Sequence, residues 1–315
     1  MEDYPRDLAD LEARFADQTA CLAYLVTLRW PGGFVCPKCG SRQGWHLTAG
    51  RYECASCRRQ TSVTAGTIFH RTRTPLPVWF RAIWWVVSQK NGASALGLKR
   101  VLGLGSYETA WLWLHKLRRA MVRPGRERLT GDVEVDETIL GGFEEGVHGR
   151  ETYKKALVLI AAECRGNGIG RVRIARTRDA SARSLHPFVL SSVAPGSVVH
   201  TDGWKGYCGL EKEEYIREVT PLRGDRRKAL VTLPRVHRVA SLLQRWLLGT
   251  HQGAVSPEHL EYYLDEFTFR FNRRTSRSRG KLFFRLLQNA VAIQAPDYES
   301  VIKQVRGPAK SQRRA

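Results

Sequence analysis

The sequence predicts a multidomain α+β protein. It has an N-terminal cysteine ribbon, a helical segment of helix-turn-helix form, and an α/β domain with a helical C-terminal part. Three observations carry this. Two Cys-x-x-Cys pairs lie close together between residues 36 and 57, the spacing of a small module stapled by thiolates. From about 74 to 122 the apolar residues recur at helical spacing. At Asp132-Val-Glu-Val-Asp136 the period changes to two, which marks the start of a sheet.

The 315 residues leave room for two or three domains. A hydrophobic content of 43% with nine Trp argues for packed cores rather than disorder. Lys and Arg number 51 against 30 Asp and Glu, a formal charge of +21. A field of that sign attracts polyanions, so nucleic acid is the expected partner. The charge is spread along the chain rather than gathered on one amphipathic helix, which makes a membrane surface the weaker alternative. No apolar run of eighteen residues occurs, and the opening Met-Glu-Asp-Tyr-Pro lacks the layout of a signal peptide. A cytoplasmic protein with no membrane association is therefore expected. Seven cysteines, an odd count, argue against a disulfide framework. Cys21, Cys164 and Cys208 read as small buried residues.

Residues 1–30 form a helical lead-in, with Leu8, Leu11, Phe15, Cys21, Leu22 and Leu25 spaced to line one helical face or two short ones. The ribbon spans 31–66. Its knuckles, Cys36-Pro-Lys-Cys39 and Cys54-Ala-Ser-Cys57, are separated by 14 residues. Each knuckle brings two thiolates to one point, and four thiolates complete the closed tetrahedron of a structural Zn²⁺ site. Gly40 follows the first knuckle where a tight turn is wanted. Four thiolates fill the shell, so His46 and His70 are bystanders. The basic neighbours Lys38, Arg42, Arg51, Arg58 and Arg59 are candidate DNA contacts, against the plainer reading of a solvated face.

The segment 74–125 is helical, opened by Pro75 and Pro77 and closed by Pro124 and Gly125. Ser94 to Arg119 has the form helix, Gly-rich turn, helix. Ser106 is placed to cap the second helix, which directs Trp111, Leu114 and Leu117 inward and carries Lys116, Arg118 and Arg119 near its end. That matches a helix-turn-helix whose second helix enters a major groove. An ordinary helical hairpin is the alternative.

The third part runs from 130 to 295. Strands are expected at Asp132–Asp136, Ala156–Cys164 and Arg171–Arg176, a helix over 180–193, a short strand from Gly196 to His200, and helices from 234 to 294. Asp136 and Asp202 stand at the ends of strands. Two such carboxylates on neighbouring strands can bridge hard cations, and two metals about 4 Å apart activate a hydroxyl and stabilise a leaving oxygen at phosphorus. The order strand-Asp, two strands, helix, strand-Asp, helices reproduces an RNase H-like layout. Glu134 and Glu137 flank Asp136 and are expected to point away from its side of the sheet. The tail 306–315 is a basic, disordered end.

These motifs resemble a known family. The ribbon, Val135-Asp-Glu-Thr138, His200-Thr-Asp-Gly-Trp-Lys-Gly-Tyr207, Gly249-Thr-His251 and Tyr263-Leu-Asp-Glu-Phe-Thr-Phe-Arg-Phe-Asn-Arg-Arg274 are similar to bacterial insertion-sequence transposases. The resemblance is to the group with a zinc ribbon and an ISXO-like transposase domain, related to the Merlin superfamily. It implies a DDE-type nuclease that cuts transposon ends and joins them to target DNA, using Mg²⁺ or Mn²⁺, on double-stranded DNA and as a homo-oligomer in the DNA complex. It also implies a third metal ligand on a helix, four residues before a Ser, and a Lys two turns further on. Those positions hold His237 and Gln244 here, with 34 residues between Asp202 and His237. Imidazole removes one negative charge and favours softer ions. His237 could instead act as a general base, leaving Glu258, Glu261 and Glu266 as other acids. Two functional expectations follow: an active transposase using Asp136, Asp202 and His237, or a transposase-derived DNA-binding protein that no longer cuts. A zinc-ribbon transcription factor would leave the strand-end Asp pattern without a purpose.

Overall fold

The computed structural model describes residues 2–48, 50–123, 125–141, 155–220, 233–252, 255–294 and 301. The chain divides into two units, one comprising Met1–Arg123 with Ser276–Gln304, the other Pro124–Thr275 with Val305–Ala315.

The first unit begins with α1 (Leu8–Arg14) and α2 (Gln18–Arg29). Each starts at an Asp whose carboxylate accepts a backbone N–H of the first turn, Asp7 from Asp10 and Asp17 from Ala20. Such a cap contributes about 1 kcal/mol. The ribbon is an antiparallel meander of β1 (Gly44–His46), β2 (Arg51–Cys54) and β3 (Gln60–Ser62). Gly44 is needed there because a Cβ would lie 2.6 Å from the Glu53 carbonyl oxygen. Next comes α3 (Leu76–Ser88), with Pro77 in its first turn and an apolar surface that is largely buried. Then α4 (Ala95–Leu102), capped by Ser94, ends on a left-handed Gly103 (φ 63°). A short turn leads to α5 (Tyr107–Ala120), where Ser106 Oγ accepts from Thr109 N at 3.0 Å. Helix, glycine turn and helix therefore lie where the sequence puts them.

The expected domain of 130–295 is corrected at its C-terminal end. One more helix belongs to this unit, α9 (Arg279–Ala292), which follows the sheet unit in the chain and packs with α2, α3 and α5. Phe283 lies with its ring centroid 5.6 Å from Phe80 and 5.9 Å from Trp84. Asn289 Nδ2 donates to the Ala120 carbonyl at 2.9 Å, and the Ala290 carbonyl accepts from Ile68 N at 3.2 Å. The physical reason is the breadth of its apolar surface. Leu282, Phe283, Phe284, Leu286, Leu287 and Ala290 are all buried, more than a single stripe against a sheet accommodates.

The second unit is built on a five-stranded sheet of order β6-β5-β4-β7-β8. Its strands are β4 (Asp132–Leu140), β5 (Ala156–Arg165), β6 (Gly168–Thr177), β7 (Val198–Thr201) and β8 (Ile216–Val219). β4 to β6 form antiparallel pairs, whereas β4–β7 and β7–β8 are parallel. β8 has no counterpart in the sequence reading. One face of the sheet (Val133, Val135, Leu159, Ala161) packs on α6 (Ala182–Ser192). The other (Val158, Ile160, Ala162, Val172, Ile174) packs on α7 (Pro234–His251) and α8 (Leu260–Asn272). Parallel β4, β7 and β8 carry their carboxyl ends to one edge of the sheet, the place where α/β sheets bind ligands. The basic tail 306–315 lies outside the described residues.

Candidate functional site

In the ribbon, Cys36 Sγ lies 3.6 Å from Cys57 Sγ, and Cys39 Sγ 3.6 Å from Cys54 Sγ. All four sulfurs fall within 4.8 Å of one another, close enough for one tetrahedral ion. The two knuckles have matching turns. Gly40 N donates to Cys36 O and Arg58 N to Cys54 O, and both residues adopt positive φ, 73° and 55°. Glycine meets that demand without strain, and Arg58 meets it as an L-residue. Backbone N–H groups of Cys57 and Ser56 bring the Cys54 pKa down to about 6, whereas Cys39, despite a Ser41 N–H that lowers it, is pushed up to about 12 by the sulfurs of Cys57, Cys54 and Cys36. His46 faces Tyr52 and His70 Nδ1 accepts from Gly66 N, so neither joins the cluster. The four-cysteine set with its ribbon geometry supports structural Zn²⁺.

Of the basic candidates, Lys38, Arg42, Arg51, Arg58 and Arg59 are exposed. Arg58 also pairs with Glu53 at 3.3 Å and lies over the Trp45 ring. On α5, Lys116 and Arg119 are half-buried. Arg118 is a correction: at 2% exposure it cannot reach a phosphate outside the fold. It follows Leu117 on a helix where Trp113, Leu114 and Leu117 are buried, and it falls on the inward arc.

The second constellation is a cleft of about 440 Å³ in the sheet unit, whose lining includes Asp136, Glu137, Asp202 and His237. Parallel pairing explains how two distant Asp meet. Glu134 stands opposite His200, the last paired position of β4 and β7; Asp136 lies two residues further along β4, and Asp202 is the first residue past the end of β7. Asp202 Oδ1 accepts from Trp204 N at 2.9 Å, turning the chain away as β7 ends. Trp204 Nε1 then donates to the Ala180 carbonyl. A Cβ on Gly206 would collide with that same carbonyl oxygen, which explains the glycine.

His237 enters from the first turn of α7, with Nε2 3.8 Å from Asp136 Oδ2. That nitrogen is buried, with no hydrogen-bond partner among the described residues. Burial holds the imidazole below its usual pKa, opposed by the Glu134 and Asp202 carboxylates. It is thereby kept in the neutral form that binds metals. Gln244, two turns on, is exposed and does not line the cleft. Neither do Glu258, Glu261 and Glu266, and Glu266 is buried in an ion pair with Arg270 at 2.7 Å. Among the described residues, the four Cys are the one group of three or more His, Cys, Asp or Glu that closes around a single ion. The cleft set is more open.

Of the two acids expected to point away from the Asp136 side, Glu134 does not and Glu137 does. Period two places residues i and i−2 on one face, so Glu134 shares the Asp136 side and reaches α7. Glu137 takes the other side yet still lines the cleft, because β4 runs on past the end of β7. Its carboxylate accepts from the Tyr207 hydroxyl at 2.8 Å, and its N–H donates to Asp136 Oδ1 at 2.9 Å. Burial, then the Glu137 charge, pushes the Tyr207 pKa well above its usual value, so the phenol stays a donor. The adjacency of Glu137 to Asp136 was the available signal for this pair.

A transposase zinc-ribbon domain matches residues 16–60, and an ISXO2-like transposase domain matches residues 128–272. Together the spans cover more than half of the chain. The first takes in α2 with the ribbon, and the second ends where α8 ends. No curated protein and no solved structure shows a significant match. Ribbon and sheet unit thus each carry the matching family domain, in the same order, and the chain belongs to the insertion-sequence transposases that combine a transposase zinc ribbon with an ISXO2-like transposase domain.

Proposed function

We propose that this transposase binds the double-stranded DNA of transposon ends and catalyses divalent-metal-dependent cleavage and strand transfer, with Asp136, Asp202 and His237 as its metal-holding residues. The observation that carries the proposal is the cleft. A carboxylate on β4 and one directly past the end of the adjacent parallel β7 share the cleft with an imidazole whose buried Nε2 has no hydrogen-bond partner among the described residues. The sheet order supports an RNase H-like reading, with an antiparallel β5–β6 hairpin on one side of β4 and parallel β7 and β8 on the other.

Two carboxylates and a neutral imidazole fit Mg²⁺ or Mn²⁺, the imidazole favouring Mn²⁺. An open set suits ions that share their shell with a substrate phosphate. Such ions, when bound, neutralise charge at the scissile phosphate and lower the pKa of the attacking hydroxyl. The protein's own residues set the stage for that. Asp136 is oriented by the Glu137 N–H and Asp202 by the Trp204 N–H. Burial of His237 keeps its proton off near neutral pH. The exposed Lys38, Arg42, Arg58 and Arg59 supply phosphate contacts. The first turn of α5, with exposed Tyr107 and Glu108, presents itself to base edges as recognition helices do. No helix among the described residues is long and apolar enough to cross a membrane.

A nicking assay on a transposon-end duplex tests this, with Mg²⁺ and with Mn²⁺. Asp136→Ala, Asp202→Ala and His237→Ala should each lose cleavage while binding the duplex like the wild type. Mn²⁺ should support faster cutting than Mg²⁺. Wild-type cutting by His237→Ala would remove it from the site. No cutting by any version, the unaltered protein included, would leave a DNA-binding protein without the reaction.

A further inference from the structure

We infer that Glu134 is the positioning residue of the cleft: its buried carboxylate clamps the first turn of α7 and thereby holds the His237 imidazole against Asp136. The inference rests on the metal-dependent reading above and adds a residue to it.

Glu134 is 2% exposed, and a carboxylate so enclosed is costly unless its lone pairs are met. Among the described residues, the hydrogen-bond partners of its carboxylate all belong to the start of α7. Oε2 accepts from the backbone N–H of Arg235 at 2.7 Å and of Val236 at 3.0 Å. Oε1 accepts from Arg235 Nη1 at 2.8 Å. The first N–H groups of a helix have no partner within it. Here the N-cap residue, Leu233, makes no side-chain cap. A carboxylate from a neighbouring strand does the capping instead, at the positive end of the helix dipole. The Arg235 guanidinium also donates to the carbonyls of Gly166 and Gly168 in the β5–β6 turn, so the clamp has a second anchor.

The geometry makes this clamp act on the chemistry. Val236 is the residue before His237, so the last backbone group Glu134 grips is one peptide away from the proposed ligand. Asp136 is two residues along β4 from Glu134, on the same face. One short stretch of strand therefore sets both the carboxylate and the start of the helix that brings the imidazole to 3.8 Å from it. Hydrogen bonds one step behind the ligands are what hold ligands in place, and losing them typically lowers metal affinity or activity about 10–100-fold.

The experiment uses the full-length, zinc-loaded protein with Mn²⁺ alone as the probe, titrated by electron paramagnetic resonance. Wild type, His237→Ala, Glu134→Gln and the double variant are compared, with thermal unfolding and end-duplex binding as checks of folding. Glu134→Gln keeps the size but removes the charge and one acceptor. Its Mn²⁺ affinity should fall about 10-fold or more, and the double variant should bind no more weakly than His237→Ala, because Glu134 acts through His237. A purely structural clamp would lower the unfolding midpoint and leave Mn²⁺ affinity unchanged, which overturns the inference. Additive losses in the double variant overturn it as well. If His237→Ala binds Mn²⁺ as tightly as wild type, the metal reading fails and takes the inference with it. If His237→Ala weakens binding and folded Glu134→Gln does not, the inference alone fails. Should Glu134→Gln not fold, Glu134→Asp replaces it, keeping the charge on an arm one methylene shorter. The same loss is expected from it, and wild-type affinity would again refute the positioning role.

Discussion

At the scale of the residue, His237 gives the cleft its character. A carboxylate at this position would add a third negative charge close to Asp136, stabilising bound cations and repelling Asp136 when none is bound. Imidazole avoids the repulsion and gives up part of the grip on hard ions. His237→Glu should therefore shift the ion preference. Mg²⁺-supported nicking should equal or exceed that of the wild type, and the Mn²⁺ to Mg²⁺ activity ratio should fall. The same variant should unfold at lower temperature in metal-free buffer and regain the difference with millimolar Mg²⁺, since ligand binding stabilises the state that binds it. An unchanged activity ratio would show that residue 237 does not touch the ions.

At the scale of the element, the β5–β6 hairpin is pinned by an ion pair between buried Glu163 and partly exposed Arg171. Glu163 accepts from Arg171 Nη2 at 2.7 Å, from Arg171 N at 2.9 Å and from Thr130 N at 3.3 Å. Burial pushes its pKa up, but the Arg171 hydrogen bonds and charge outweigh that and hold it below the usual range. A carboxyl with a depressed folded pKa contributes stability that is complete above the unfolded value of about 4.3 and disappears as pH falls through the folded value. Glu163→Gln should therefore cost about 1–3 kcal/mol at neutral pH, and the gap to wild type should close as the pH is lowered below about 4. Denaturant melts at several pH values measure this, and a gap independent of pH would contradict it. The sequence made this hairpin legible, together with β4, α6 and β7, because long apolar or alternating runs are strong local signals. It left β8 hidden: Ile216-Arg-Glu-Val219 is a short edge strand with little pattern, formed because β7 offers it a parallel partner. The four Cys were legible from spacing, and Asp202 from its place directly after β7; Asp136 was expected to end its strand but lies inside β4, which continues to Leu140. Arg118 was not, since charge alone points outward and only packing reveals an inward arc. Glu134 was misplaced because period two had to be counted from Asp136 rather than assumed.

At the scale of the whole molecule, chain order and unit membership part company. The chain leaves the first unit at Arg123 and returns to it at Ser276, so the unit that carries the ribbon is completed by a helix lying beyond both matched family domains. Ending the chain after Thr275 would remove Phe283 from its contacts with Phe15, Phe80 and Trp84. It would also strip the Ile68 N–H and the Ala120 carbonyl of the partners α9 provides. Truncating a single buried Phe costs about 3–5 kcal/mol, against about 5–15 kcal/mol for the stability of a whole domain. Losing the entire helix should unfold the first unit. Among the described residues the sheet cores draw on nothing beyond Phe271, so the second unit should stay folded. Near-ultraviolet circular dichroism reads the difference, because Trp79 and Trp113 stack at 3.7 Å within the first unit and their signal should vanish while the far-ultraviolet strand signal persists. Phe283→Ala should show the same effect in graded form, lowering the unfolding transition of the first unit and leaving that of the second in place. A truncated chain that retained the tryptophan signal would mean that α2, α3 and α5 close their core without α9.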